Sequence, residues 1–176
     1  MRKDLTQMNN VYLNPPTFSY NCGGYALKTF DWYRPYTGSP ERMESIIDKM
    51  VQTGMNKRDV EETLLDYFES KMLNEFPKMR RLKQIRDAAE DEDVIAFRIT
   101  LSTSYSQSLK MNFLNDWDFH FMLKIDNEWF EKLGWEDVRK HKNNVNDIWI
   151  DNDDEDEDEQ YYHRYDSKIR YYAKKF

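Results

Sequence analysis

The chain has 176 residues, 39% hydrophobic and 15% aromatic, which is the size and content of one domain with a single sizeable core rather than of a disordered segment. Its net charge of −7 is local: residues 151–159 hold eight carboxylates and one Asn, and without them the remainder stands at +1. A lone Cys excludes an internal disulfide, residues 1–18 carry no apolar run of signal-peptide length, and no stretch approaches the ~18 apolar residues of a membrane span, so a cytoplasmic address is expected.

In chain order, residues 1–20 read as an irregular arm, because Asn9-Asn10 and Pro15-Pro16 discourage helix and central strand alike. Residues 21–32 read as a helix with Cys22 in its first turn and Tyr25, Ala26, Leu27 and Phe30 following. Pro35 and Gly38-Ser39-Pro40 end it. Ser39 is the expected cap of a second helix, with Pro40 at its first position and a stripe of Met43, Ile46, Ile47, Met50 and Val51, stopped by Gly54. Asn56 caps a third, whose stripe is Val60, Leu64, Phe68 and Met72, and Pro77 closes it. Both stripes are burial faces for a sheet.

The period then changes. Residues 94–99 predict a strand, 102–115 a polar connection and 117–125 a second strand. Asp126-Asn127 is a tight-turn dipeptide, and 128–133 return as a third strand. Residues 135–141 read as a short helix, 151–159 as an acidic loop, and 168–174 as a final strand. Helices first and strands second make residues 1–176 a single α+β domain, with a mostly antiparallel sheet.

Cysteine chemistry needs a stabilised thiolate, a base to hold its proton and a group to orient the base. Cys22 sits where a helix begins, and Gly23-Gly24 would let a substrate backbone come close. His120 lies in the strongest predicted strand, and the 126–127 hairpin lays 128–133 beside it. His141 and His163 stand in charged, solvated surroundings. No P-loop, dinucleotide fingerprint, nucleophile elbow or zinc-ligand spacing occurs, so neither cofactor nor metal is expected. The basic group Lys78, Arg80, Arg81, Lys83 and Arg86 reads as a solvated face, so direct nucleic-acid binding is not expected.

Residues 21–27, Asn-Cys-Gly-Gly-Tyr-Ala-Leu, resemble the start of the bacterial cell-wall-peptidase branch of the papain-like superfamily, and Asp118-Phe119-His120-Phe121 with Trp129, Lys132 and Gly134 resembles its histidine hairpin. With Ile95-Ala96-Phe97-Arg98 and Tyr172-Ala173-Lys174-Lys175, the order is similar to that of small papain-like proteins of Firmicutes phages and mobile elements. The resemblance implies Cys22 as nucleophile and His120 as general base of an amidase or peptidase acting on a peptide or amide in a bacterial cell. Members usually carry a His where this chain has Glu131; a carboxylate there can orient the imidazole, which gives a Cys–His–Glu triad, or the change marks drift from catalysis. Asn21 or the Cys22 backbone N–H is the expected oxyanion donor.

The acidic run Asp151, Asp153, Asp154, Glu155, Asp156, Glu157, Asp158 and Glu159 fails the EF-hand pattern. It reads as a self-repelling loop, or as a nucleic-acid mimic that occupies the basic groove of a host defence nuclease. The alternative function is therefore an anti-CRISPR or anti-restriction inhibitor on a papain-like scaffold.

Overall fold

The computed structural model describes residues 19–101, 118–132, 137–141, 165 and 167–176. These form an α+β arrangement of three α-helices and one six-stranded sheet. The helices are α1 (Cys22–Ala26), α2 (Pro40–Gln52) and α3 (Lys57–Glu75). The strands are β1 (Met79–Leu82), β2 (Asp93–Ile99), β3 (Phe119–Ile125), β4 (Glu128–Lys132), β5 (Val138–His141) and β6 (Arg170–Lys174), in the order β1-β6-β2-β3-β4-β5, with every neighbour antiparallel. No helix among the described residues is long and apolar enough to cross a membrane.

The two faces of the sheet differ, as period-two alternation requires. One carries Ile95, Phe97, Ile99, Phe119, Phe121, Leu123, Phe130 and Tyr172 against the helices. There Val60, Leu64, Leu65, Phe68 and Met72 of α3 are all buried, each contributing about 1.5–3 kcal/mol of transfer free energy. The other carries Leu82, Val94, Ala96, Met122, Trp129 and Ala173, covered in part by Tyr165. Asn56 caps α3 as its side-chain oxygen accepts from the Asp59 N–H at 3.0 Å. Glu62, Asp66 and Glu69, spaced along one side of α3, gather around the buried Arg170 at 3.1, 2.6 and 3.1 Å and tie the helix to β6.

Asp126 and Asn127 both have positive φ, 52° and 78°, the backbone of a type I′ hairpin turn. The turn fixes Ile125 opposite Glu128 and Met122 opposite Glu131. Glu131 therefore shares a face with Met122 and His120, and Lys132 takes the other face. There Lys132 is buried, its ammonium 5.2 Å from the Tyr20 ring centre.

Three expectations are corrected. The helix expected over 21–32 ends at Ala26, because Lys28 and Phe30 take positive φ of 54° and the Thr29 and Phe30 N–H groups return to the Gly24 carbonyl at 3.0 and 3.1 Å. Residues 138–141 form strand β5 rather than a helix, paired with β4 from Trp129↔His141 to Lys132↔Val138. The third correction is at α2, where Ser39 occupies the cap position without a side-chain bond to the helix backbone. The basic group keeps its solvated face where Arg80 and Arg81 stand exposed on β1, Arg80 bonded to Glu92 at 2.6 Å and Arg81 paired with Glu69.

Candidate active site

Asn21 starts α1. Its side-chain oxygen accepts from the Gly24 N–H at 2.9 Å, and its amide nitrogen donates to the Tyr33 carbonyl at 2.7 Å. One side chain thus caps the helix and pins the returning loop. The next residue, Cys22, is buried, with its sulfur 3.9 Å from the Phe119 carbonyl of β3. Neither neighbouring glycine leaves room for a substrate backbone. A Cβ on Gly24 would stand 1.9 Å from the Asp31 carbonyl oxygen, and one on Gly23 would stand 2.9 Å from the Tyr33 ring. The glycines admit this protein's own chain, which corrects the reading of them as a substrate approach.

His120 is the second residue of β3. The ladder to β4 covers Met122 to Ile125, so His120 lies beyond it, where α1 approaches β3. Its Nε2 is 2.6 Å from Glu131 Oε2, and the Cys22 side chain lies near enough to the ring to influence its protonation. With Nε2 engaged by the carboxylate, Nδ1 is the nitrogen left for the sulfur. Tyr165 stacks on the ring, centroids 5.2 Å apart and planes 26° from parallel. Its hydroxyl donates to Asp118 Oδ2 at 2.8 Å, while Asp118 Oδ1 accepts from the Phe119 N–H at 2.8 Å. A stacked ring on a braced hydroxyl leaves the imidazole little freedom to rotate.

Glu131 has a second partner. Its Oε1 accepts from Arg139 Nε of β5 at 2.6 Å, directly across the β4–β5 ladder. Cys22, His120, Glu131 and Arg139 thus form one chain of contacts reaching from α1 across β3, β4 and β5. His120 and Glu131 are 1% and 0% exposed, and Arg139 is 33% exposed. Burial by itself would lower the His120 pKa. The interactions with Cys22 and with the Glu131 carboxylate, which accepts from the ring, outweigh it and raise the group to about 10. At neutral pH the imidazole is therefore an imidazolium, flanked by the sulfur and a carboxylate.

The structure brings Cys22, His120 and Glu131 together. It sets Asn21 beside them with its amide engaged in capping. The acidic residues Asp151, Asp153, Asp154, Glu155, Asp156, Glu157, Asp158 and Glu159 lie outside the described residues. Arg139 was not anticipated. Its signal was an Arg on the segment after the Glu131 strand, legible only once 138–141 is read as a strand. Among the described residues, no three His, Cys, Asp or Glu side chains are grouped to hold a metal ion. Comparison with protein-family models, with curated proteins and with solved structures finds no match to this chain.

Proposed function

We propose that the protein is a papain-like cysteine hydrolase, an amidase or peptidase, with Cys22 as nucleophile, His120 as general base and acid, and Glu131 as the residue that orients the imidazole. The observation that carries this reading is that Glu131 takes one ring nitrogen of the buried His120 at 2.6 Å while Cys22, on the helix packed against the same strand, lies near the ring, which leaves the other nitrogen for the sulfur. A helix bearing the Cys and packed on the His strand of an antiparallel sheet supports the papain-like ground plan.

In the proposed cycle the thiolate attacks an amide carbonyl carbon, and the tetrahedral oxyanion accepts from the Cys22 backbone N–H, which at the first helical position has no carbonyl of its own helix to bond. The C–N bond breaks as the imidazolium gives its proton to the leaving nitrogen, which leaves a thioester on Cys22 and a neutral His120. His120 then takes a proton from water, the hydroxide displaces the sulfur, and a carboxylic acid departs. Glu131 holds the ring through both half-reactions and stabilises the imidazolium, as the acidic member of a Ser–His–Asp triad does. The bacterial cytoplasm is the proposed setting.

The test is hydrolysis of a panel of peptide and small amide substrates by wild type, C22A and H120A, beside labelling with a thiol-directed activity probe. The reading predicts turnover and labelling in wild type and loss of both in C22A. A folded wild type whose probe labelling is no faster than that of an ordinary exposed thiol, with no turnover on any substrate, would overturn it and favour a binding role for the scaffold.

A further inference from the structure

We propose that Arg139 sets the working range of His120 by acting through Glu131, as a positioning residue. This rests on the cysteine-hydrolase reading for its consequence in catalysis but not for its physical effect. Glu131 is completely buried, and each of its oxygens has one charged partner at 2.6 Å, His120 on Oε2 and Arg139 on Oε1. A buried carboxylate facing the imidazolium alone would direct its whole field at His120. Arg139 holds Glu131 ionised and opposes part of that field.

The need for such a counterweight follows from the cycle. His120 has to be charged to release the leaving nitrogen and neutral to activate water, so an imidazole locked as a cation stalls at the thioester. The Cys22 and Glu131 contacts already carry the group far above the ordinary histidine range. A Glu131 charge without the Arg139 counterweight would lock it further. The other groups around the ring are Cys22 from α1, Arg98 paired with His120 across β2–β3, and Tyr165 with Asp118 behind it. The Arg98 Nε donates to the Ser167 carbonyl at 2.6 Å, and the Arg139 Nε donates to the carboxylate that bonds the ring.

The experiment is titration of His120 by the carbon and carbon-bound proton shifts of a labelled imidazole, assigned with H120A, in wild type, Arg139→Gln, Arg139→Lys, Glu131→Gln and the Glu131→Gln/Arg139→Gln double variant. Removing a unit charge one residue away from the ring through an interior of intermediate dielectric raises the His120 midpoint by about one pH unit in R139Q. R139K, which keeps the charge, moves it by less than half as much. In the Glu131→Gln background the Arg139 change has less than half its effect, because the mediator is gone. Under the hydrolase reading, R139Q also accumulates thioester and slows at deacylation. An unmoved or lowered midpoint in R139Q overturns the proposal. If R139Q does not fold, a midpoint raised by about one full pH unit in R139K does so, since the charge is kept there. These outcomes need no turnover, so they are distinct from failure of the hydrolase reading, which appears as absent labelling and hydrolysis in wild type.

Discussion

Replacing Glu131 by Gln keeps the shape of the side chain and removes its charge, and the structure gives a magnitude for the loss. Glu131 accepts two charge-assisted hydrogen bonds at 2.6 Å in full burial, one from His120 and one from Arg139. A Gln offers one oxygen and one amino group, so one of the two donors meets another donor. Losing one charge-assisted bond and leaving a buried polar group mismatched costs about 3 kcal/mol, within the range for breaking a buried ion pair. For a chain of this length that is a fall in Tm of about 6–12 °C. The dependence on pH has a definite sign. The folded His120 is raised from 6.5 to about 10, so its contribution to stability is complete below pH 6.5 and disappears as pH rises through 10. Glu131 supplies part of that shift, so the gap between wild type and E131Q narrows steadily from pH 6.5 to 10 in urea unfolding read by tryptophan fluorescence. A loss under about 1 kcal/mol at pH 6.5, or a gap of constant size across the window, would refute the account of Glu131 as a buried partner of an imidazolium.

Gly24→Ala places a methyl group 1.9 Å from the Asp31 carbonyl, a contact that only backbone movement relieves, and should cost at least about 3 kcal/mol or abolish soluble expression, as read by thermal melting. Asn21→Ala removes a cap bond and the Tyr33 tether, so it should cost about 2 kcal/mol in denaturant unfolding and slow alkylation of Cys22 less than H120A does. Iodoacetamide should alkylate Cys22 at pH 6 at least about tenfold faster in wild type than in H120A, as followed by intact mass. Equal rates would assign the sulfur a packing role.

Elements with their own period were legible in the sequence, and those decided by a distant partner were not. The stripes of α2 and α3 and the Asp126-Asn127 turn needed no tertiary knowledge, and the turn carried Glu131 to the face of His120. The length of α1 did not follow in the same way. Tyr25, Ala26, Leu27 and Phe30 suit a longer helix, but the chain turns back after Ala26 and sets the Asp31 backbone against Gly24, a contact that glycine permits and no periodicity announces. Strand β5 exists because β4 offers it an edge, and the segment's own charged residues give no clear alternation. In β1 the pattern of Met79 and Leu82 around two exposed arginines hides a strand inside what reads as a basic surface.

Burial explains why His120, Glu131 and Arg139 depend on one another. The His120 imidazolium, the Glu131 carboxylate and the Arg139 guanidinium alternate in sign, and removing the carboxylate leaves two positive groups facing each other in or near the interior. The site draws on α1, β3, β4 and β5, and three of its members are fixed by ladders whose register the hairpin turn and the strand pairing determine. Cys22 is the exception. Its helix has five residues, too few for helical length to define where the sulfur lies, and its position depends on the Asn21 cap, on Gly24 against Asp31 and on the contact with Phe119. The placement of the sulfur against His120 is therefore more sensitive to the loop over residues 28–33 than to the sheet, and substitutions in that loop should alter thiol reactivity while leaving the His120–Glu131–Arg139 segment intact.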